Sequence, residues 1–131
     1  MVVALRVAAA VFLVGLLFAP AAAETFRKLS GAQIRGRFVG MDMSDGVHWR
    51  DSYGRDGSLA SLSMGKRRSG KWHVEKDQLC IDLGTESGGC YEVWIAGAKV
   101  EFRREGFEGS ILEGELAKPA TANQTAKGKH P

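Results

Sequence analysis

The side chains able to do chemistry in this 131-residue chain are few and widely spaced. Cys80 and Cys90 are its two cysteines, and His48, His73 and His130 its three histidines. A metal site built from His48 and His73, completed by Asp42, Asp45 or Asp51, requires that the two histidine strands be neighbours. Solvent-facing histidines without an ion are the commoner arrangement, so no metal is expected. Asp82 and Glu92 would form a carboxylate pair of glycosidase type if a hairpin brought them together; ordinary surface charges are the simpler reading. No Gly-x-Ser-x-Gly elbow, Cys-x-x-Cys, His-Glu-x-x-His or Gly-x-Gly-x-x-Gly occurs. Gly65-Lys66 is followed by Arg67 rather than Ser or Thr, and the upstream glycine position of a phosphate loop is Ala60. No catalytic residue, no cofactor and no enzymatic activity are therefore expected. What remains is the basic run Lys66-Arg67-Arg68 with Lys71. Placed at a turn, these charges would grip a phosphate, an anionic glycan or an acidic partner. Lys66, Arg67, Arg68 and Lys71 are the candidate anion- or partner-binding residues, against the alternative of a solvated loop that aids solubility.

The elements that must position these groups centre on Ser69 to Gly97. Trp72 and Val74 alternate with Lys71, His73 and Glu75. Leu79, Ile81 and Leu83 repeat the pattern, as do Tyr91, Val93 and Ile95. Such alternation suits strands with one face on a core and one in water. The polar stretches Glu75-Lys76-Asp77-Gln78 and Thr85-Glu86-Ser87-Gly88-Gly89 sit where the chain must reverse. If Cys80 lies opposite Cys90, the reversal centres on Thr85, so the apolar pattern and the cysteine spacing specify one register. A disulfide there would add roughly 2–3 kcal/mol. Two free, buried thiols are the alternative.

The N-terminus reads as an export signal, residues 1–23. Arg6 supplies its charge, Val7 to Phe18 its apolar stretch, and Ala21-Ala22-Ala23 a small-residue cleavage site. As a helix the apolar stretch would span only about 18 Å, short of a ~30 Å hydrocarbon core; an uncleaved anchor is the alternative. No transmembrane segment is expected after cleavage. Export to the periplasm or beyond supplies the oxidising surroundings that a disulfide needs. Removing Arg6 leaves 17 basic against 15 acidic residues, too balanced for a nucleic-acid partner.

A single β-rich domain is expected over residues 24–116, with a disordered basic tail over 117–131. Leu29-Ser30-Gly31-Ala32-Gln33-Ile34 carries a capping box and a hydrophobic staple for a short helix. Ile34 and Phe38 would share its buried stripe, and Gly40 would end it. An N-terminal strand is the alternative. Asp45-Gly46 and Asp56-Gly57 are hairpin signals. Between them Val47, Trp49 and Tyr53 share a face; after them Ala60, Leu62 and Met64 do so. Ala96-Gly97 turns the chain into Val100 and Phe102, and Gly106 to Leu116 supplies a last edge strand around Ile111 and Leu112. The sum is mainly β: a small antiparallel barrel or strongly curved meander of about seven strands with one short N-terminal helix.

Leu29-Ser30-Gly31, Asp56-Gly57, Ser69-Gly70-Lys71-Trp72, Leu79-Cys80 and Cys90-Tyr91, in that order, resemble small secreted bacterial proteins of unknown function. The resemblance covers roughly residues 29–105 and implies export and a disulfide, without an activity. Gly70-x-Trp72 is also similar to the Gly-x-Trp of lipocalin-like barrels, although there it opens the first strand. These features together lead us to expect a non-enzymatic periplasmic or secreted domain. It would bind an envelope protein or an anionic envelope component through one barrel end or the basic loop. An inhibitor of a lysozyme-like or protease target, inserting a loop such as Thr85 to Gly89, is the alternative. The oligomeric state is left open.

Overall fold

The structure is a computed structural model that describes residues 15–16, 25–84 and 88–119. The expected leader, apart from 15–16, therefore lies outside the described residues, as do residues 85–87 of the expected loop and the tail beyond 119.

Among the described residues, nine strands and one helix build an antiparallel barrel of eight strands with one strand added outside it. Strand β1 (Arg27–Lys28) leads into α1 (Gly31–Phe38), and β2 (Asp42–Ser44), β3 (Trp49–Tyr53) and β4 (Ser58–Ser63) follow. Next come β5 (Lys66–Glu75), β6 (Gln78–Asp82), β7 (Gly88–Ala96), β8 (Lys99–Arg103) and β9 (Leu112–Ala117). Each of β2 to β8 pairs with the strand that follows it in the meander. Strand β9 pairs with both β8 and β2, which closes an eight-stranded ring, while β1 adds to β7 from outside. The expected edge strand near Leu112 thus has no free edge. Closure removes the row of unpaired amides that an open sheet would expose.

The helix forms where its capping signal stands. The Ser30 hydroxyl accepts from the Gln33 amide, and the Gln33 side chain accepts from the Ser30 amide at 2.9 Å. Leu29, Ile34 and Phe38 are all buried. Gly40 takes a φ of 72°, which lets the chain turn into β2. The Gly31 amide donates to Asp77 in the β5–β6 turn, and the Gly40 amide donates to the Tyr53 carbonyl. Helix α1 therefore lies across one barrel end and drives Ile34 and Phe38 inward. The opposite end carries the 45–48, 64–65 and 104–111 connections and residues 83–84, which follow β6.

The interior is filled. Phe38 meets Tyr53 edge-on at 5.0 Å and Phe102 at 6.1 Å, Tyr53 meets Trp72 edge-on at 5.5 Å, and Tyr91 stacks on Phe102 at 5.6 Å. Met43, Leu59, Leu79, Val93, Ile95 and Val100 complete the core. Toward the far end the Trp49 indole lies against Gly114, where any Cβ would sit within 2.9 Å of the ring. Two expectations about facing change here. Ala60 and Leu62 do share a face, but it is the outer one; Leu59 and Ser61 point inward. Met64 leaves the strand altogether, taking a φ of 49° in the Met64–Gly65 turn. No described helix is long and apolar enough to cross a membrane.

Candidate functional site: a basic and apolar face beside one barrel end

The basic run is a strand, not a loop: Lys66, Arg67, Arg68 and Lys71 all belong to β5, and the turn before them is Met64–Gly65. Period-two alternation then separates what the sequence places together. Arg67 and Lys71 share the outer face with Ser69 and His73. Arg68 has the inward parity, opposite Ser61, and Lys66 lies opposite Ser63 at the mouth. Arg67 and Arg68 nonetheless line one depression, which Lys66 and Lys71 do not.

A wider group gathers there. Across β3, β4 and β5, Arg50, Leu62 and Arg67 stand in one row, and Ser52, Ala60 and Ser69 in the next. Side chains directly opposite on one face lie about 5 Å apart, so each row acts as a unit. Between them runs a depression of about 350 Å³ lined by Ala60, Leu62, the serines 52, 61 and 69, and the arginines 50, 67 and 68. A second depression of about 460 Å³ adjoins it at the loop end, lined by Val47, His48, Trp49 and Met64, and it shares Arg50 and Leu62 with the first. Val47 is 83% exposed, Met64 76% and Leu62 39%, a local concentration of apolar surface beside two cations. Arg50 reaches Asp42 only at 4.0 Å, with 55% of its side chain exposed, so a ligand can recruit it cheaply. The sequence reading passes over Arg50, and it sets Val47 on one face with Trp49 and Tyr53, whereas Val47 stands out in solvent with Leu62 and Met64. The available signal was the pair of apolar residues set beside the turn glycines Gly46 and Gly65.

The loop that presents this surface is held by Asp45. Desolvation alone would raise its pKa. Three backbone donors, Val47, His48 and Trp49, together with the His48 ring, outweigh that and hold the carboxyl far below its ordinary range. The His48 Nδ1 lies 2.7 Å from Asp45 Oδ2, which orients an imidazole that is 63% exposed. Among the described residues no hydroxyl hydrogen-bonds its other nitrogen. His73 lies seven positions beyond the β4–β5 turn residue Lys66, about 23 Å along the strand at ~3.3 Å per residue. The considered His48–His73 metal pair is thereby ruled out. Asp82 faces Gly88, and Glu92 lies about 13 Å farther along the β6–β7 ladder. Glu92 instead pairs with Lys28 at 3.0 Å, which depresses its pKa, and accepts from the Trp94 indole. Trp94 shares the Cys90 face but packs under Arg103, 4.2 Å from its ring centre.

Inside the barrel, polar groups gather below the mouth. Asp51 and Ser61 face each other and are buried. Burial raises the Asp51 pKa, against the opposing pull of the Ser61 hydroxyl and the Arg68 charge. Burial, with Asp51 and Tyr91 nearby, also pushes the Tyr53 phenol well above its ordinary value, and its hydroxyl has no hydrogen-bond partner among the described residues. The Cys80–Cys90 disulfide forms as the register requires, on the outer face of β6 and β7.

Comparison of the chain with models of protein families, with curated proteins and with solved structures gives no match.

Proposed function

We propose that this chain works outside the cytoplasm, in the periplasm or as a secreted protein, as a non-enzymatic binding module. Its docking surface is the outer face of β3–β5 with the adjoining loop end, and its partner is an anionic envelope component: an acidic protein segment carrying an apolar anchor. The observation that carries this reading is the pair of depressions that share Arg50 and Leu62, one apolar and one cationic. A filled interior directs binding to the surface, and the exposed Val47 and Met64 offer what a desolvated contact needs. Arg50 and Arg67, at opposite ends of one cross-strand row, match carboxylates with forked hydrogen bonds. The disulfide agrees with an oxidising compartment.

Titration of a Trp94→Phe variant, whose tryptophan emission then comes from Trp49 and the buried Trp72, with synthetic acidic peptides that carry one leucine or isoleucine tests this. Saturable binding should weaken by about tenfold or more in Arg50→Glu/Arg67→Glu and fall with added salt. Met64→Ser should weaken it separately. Affinity that ignores the charge reversal, or that is found only with anionic vesicles, would overturn the reading.

A further inference from the structure

The outer face on the other side of β5 holds a second constellation. His73 lies directly opposite Cys80, and Cys80 directly opposite Cys90, so imidazole and both sulfurs form one cross-strand row over β5, β6 and β7. Glu75 is two residues on along the same face, its carboxylate 3.4 Å from His73 Nε2. The ligating atoms of His73, Glu75 and Cys80 all lie within 4.8 Å of one another. Bond lengths of ~2.0–2.3 Å put the donors of a tetrahedral zinc ion about 3.3–3.8 Å apart. The remaining adjustment falls on His73 and Glu75, whose side chains are 64% and 58% exposed and can turn. Cys80, by contrast, is buried and fixed by the sheet.

We propose that these four residues form a redox-gated zinc site, closed while the disulfide stands and opened by its reduction. The gate follows from donor chemistry, because zinc is bound by thiolates and not by a disulfide. A dithiol transfers two electrons and two protons to the Cys80–Cys90 bond and leaves as its own cyclic disulfide, giving two thiols. Zinc then displaces one proton from each thiol and takes a neutral nitrogen from His73 and an oxygen from Glu75. Two thiolates and an imidazole select zinc over calcium or magnesium, which demand oxygen donors. The ion would tie β5, β6 and β7 together where the covalent bond tied β6 to β7, so the barrel is stapled in both redox states. This proposal is independent of the docking surface.

The test reduces the protein with a phosphine in the presence of a chelator, removes both, and titrates cobalt(II) followed by zinc. The reduced protein should bind one cobalt ion with thiolate-to-metal charge-transfer absorption, which zinc abolishes, and zinc should raise the melting temperature that reduction lowered. The oxidised protein should show none of this. His73→Ala should weaken zinc binding at least by the ~10–100-fold that the loss of an outer-shell partner costs, and Glu75→Gln should weaken it too. Circular dichroism of a Cys80→Ser/Cys90→Ser variant reports whether the barrel survives without a staple, and that variant should bind no more zinc than the oxidised protein. Absence of the cobalt absorption would overturn the proposal. Affinity unchanged in both His73→Ala and Glu75→Gln would do so as well, since it would mark two thiols of a disordered chain. Equal binding by the oxidised protein would have the same meaning.

Discussion

Tyr53 carries its hydroxyl into the barrel without a partner among the described residues, and the cost of that is measurable. An unsatisfied buried hydroxyl is worth about 1–3 kcal/mol against the fold, so Tyr53→Phe should stabilise the protein by about 1 kcal/mol in a urea titration. A loss of stability would show that the phenol has a partner in solution. Asp51, two residues away on the same face, gives a pH signature. Its folded pKa lies above the ordinary 3.8, so the native state holds this proton more tightly than the unfolded chain. Stability from this group is greatest below that ordinary value and is lost as pH rises through the folded pKa. Asp51→Asn should therefore gain on the parent protein progressively as pH rises above the ordinary carboxyl value of 3.8. A difference that stays constant over that range would contradict the raised pKa. Asp45 runs the other way, its contribution present above 3.8 and lost as pH falls.

At the scale of elements, β9 shows how glycine placement builds the closing strand. Gly114 faces inward, where a Cβ would approach both the Ser44 carbonyl at 2.9 Å and the Trp49 ring. Gly114→Ala should cost roughly 1–3 kcal/mol through overpacking, although alanine is the better strand residue elsewhere. Equal or higher stability would mean that Trp49 moves aside freely. The same scale explains what could be read from the chain beforehand. The Ser30 capping box, the Cys80–Cys90 register and the inward set Tyr91, Val93, Ile95 rest on local patterns long enough to be unambiguous. Strands β1 and β2 span only two and three residues, too short for any alternation to show. The basic run concealed a strand because Lys66 to Gly70 contains no apolar residue to mark a period. Ser61 and Asp51 concealed an inward face because polar residues line it. The docking surface was invisible for a related reason: Arg50, Leu62 and Arg67 become neighbours only through two registers, which no linear spacing encodes.

For the whole molecule, the disulfide is one constraint added to a ring that its ladders already close. It links residues 10 apart, so breaking it under chelation should cost roughly 2–3 kcal/mol while the β-sheet spectrum persists at low temperature. Complete loss of the sheet spectrum would show that the covalent link, rather than the ladders, holds the ring.

The ladder that shuts the ring joins residues 42–44 to 115–117. These partners come from the first and last parts of the barrel to be synthesised, so the seam is the final contact a nascent chain can make. Until residue 117 has emerged, β2 and β8 each offer a bare edge to passing strands. Assembly must wait for the finished polypeptide, and the unfinished one needs shielding from its own copies.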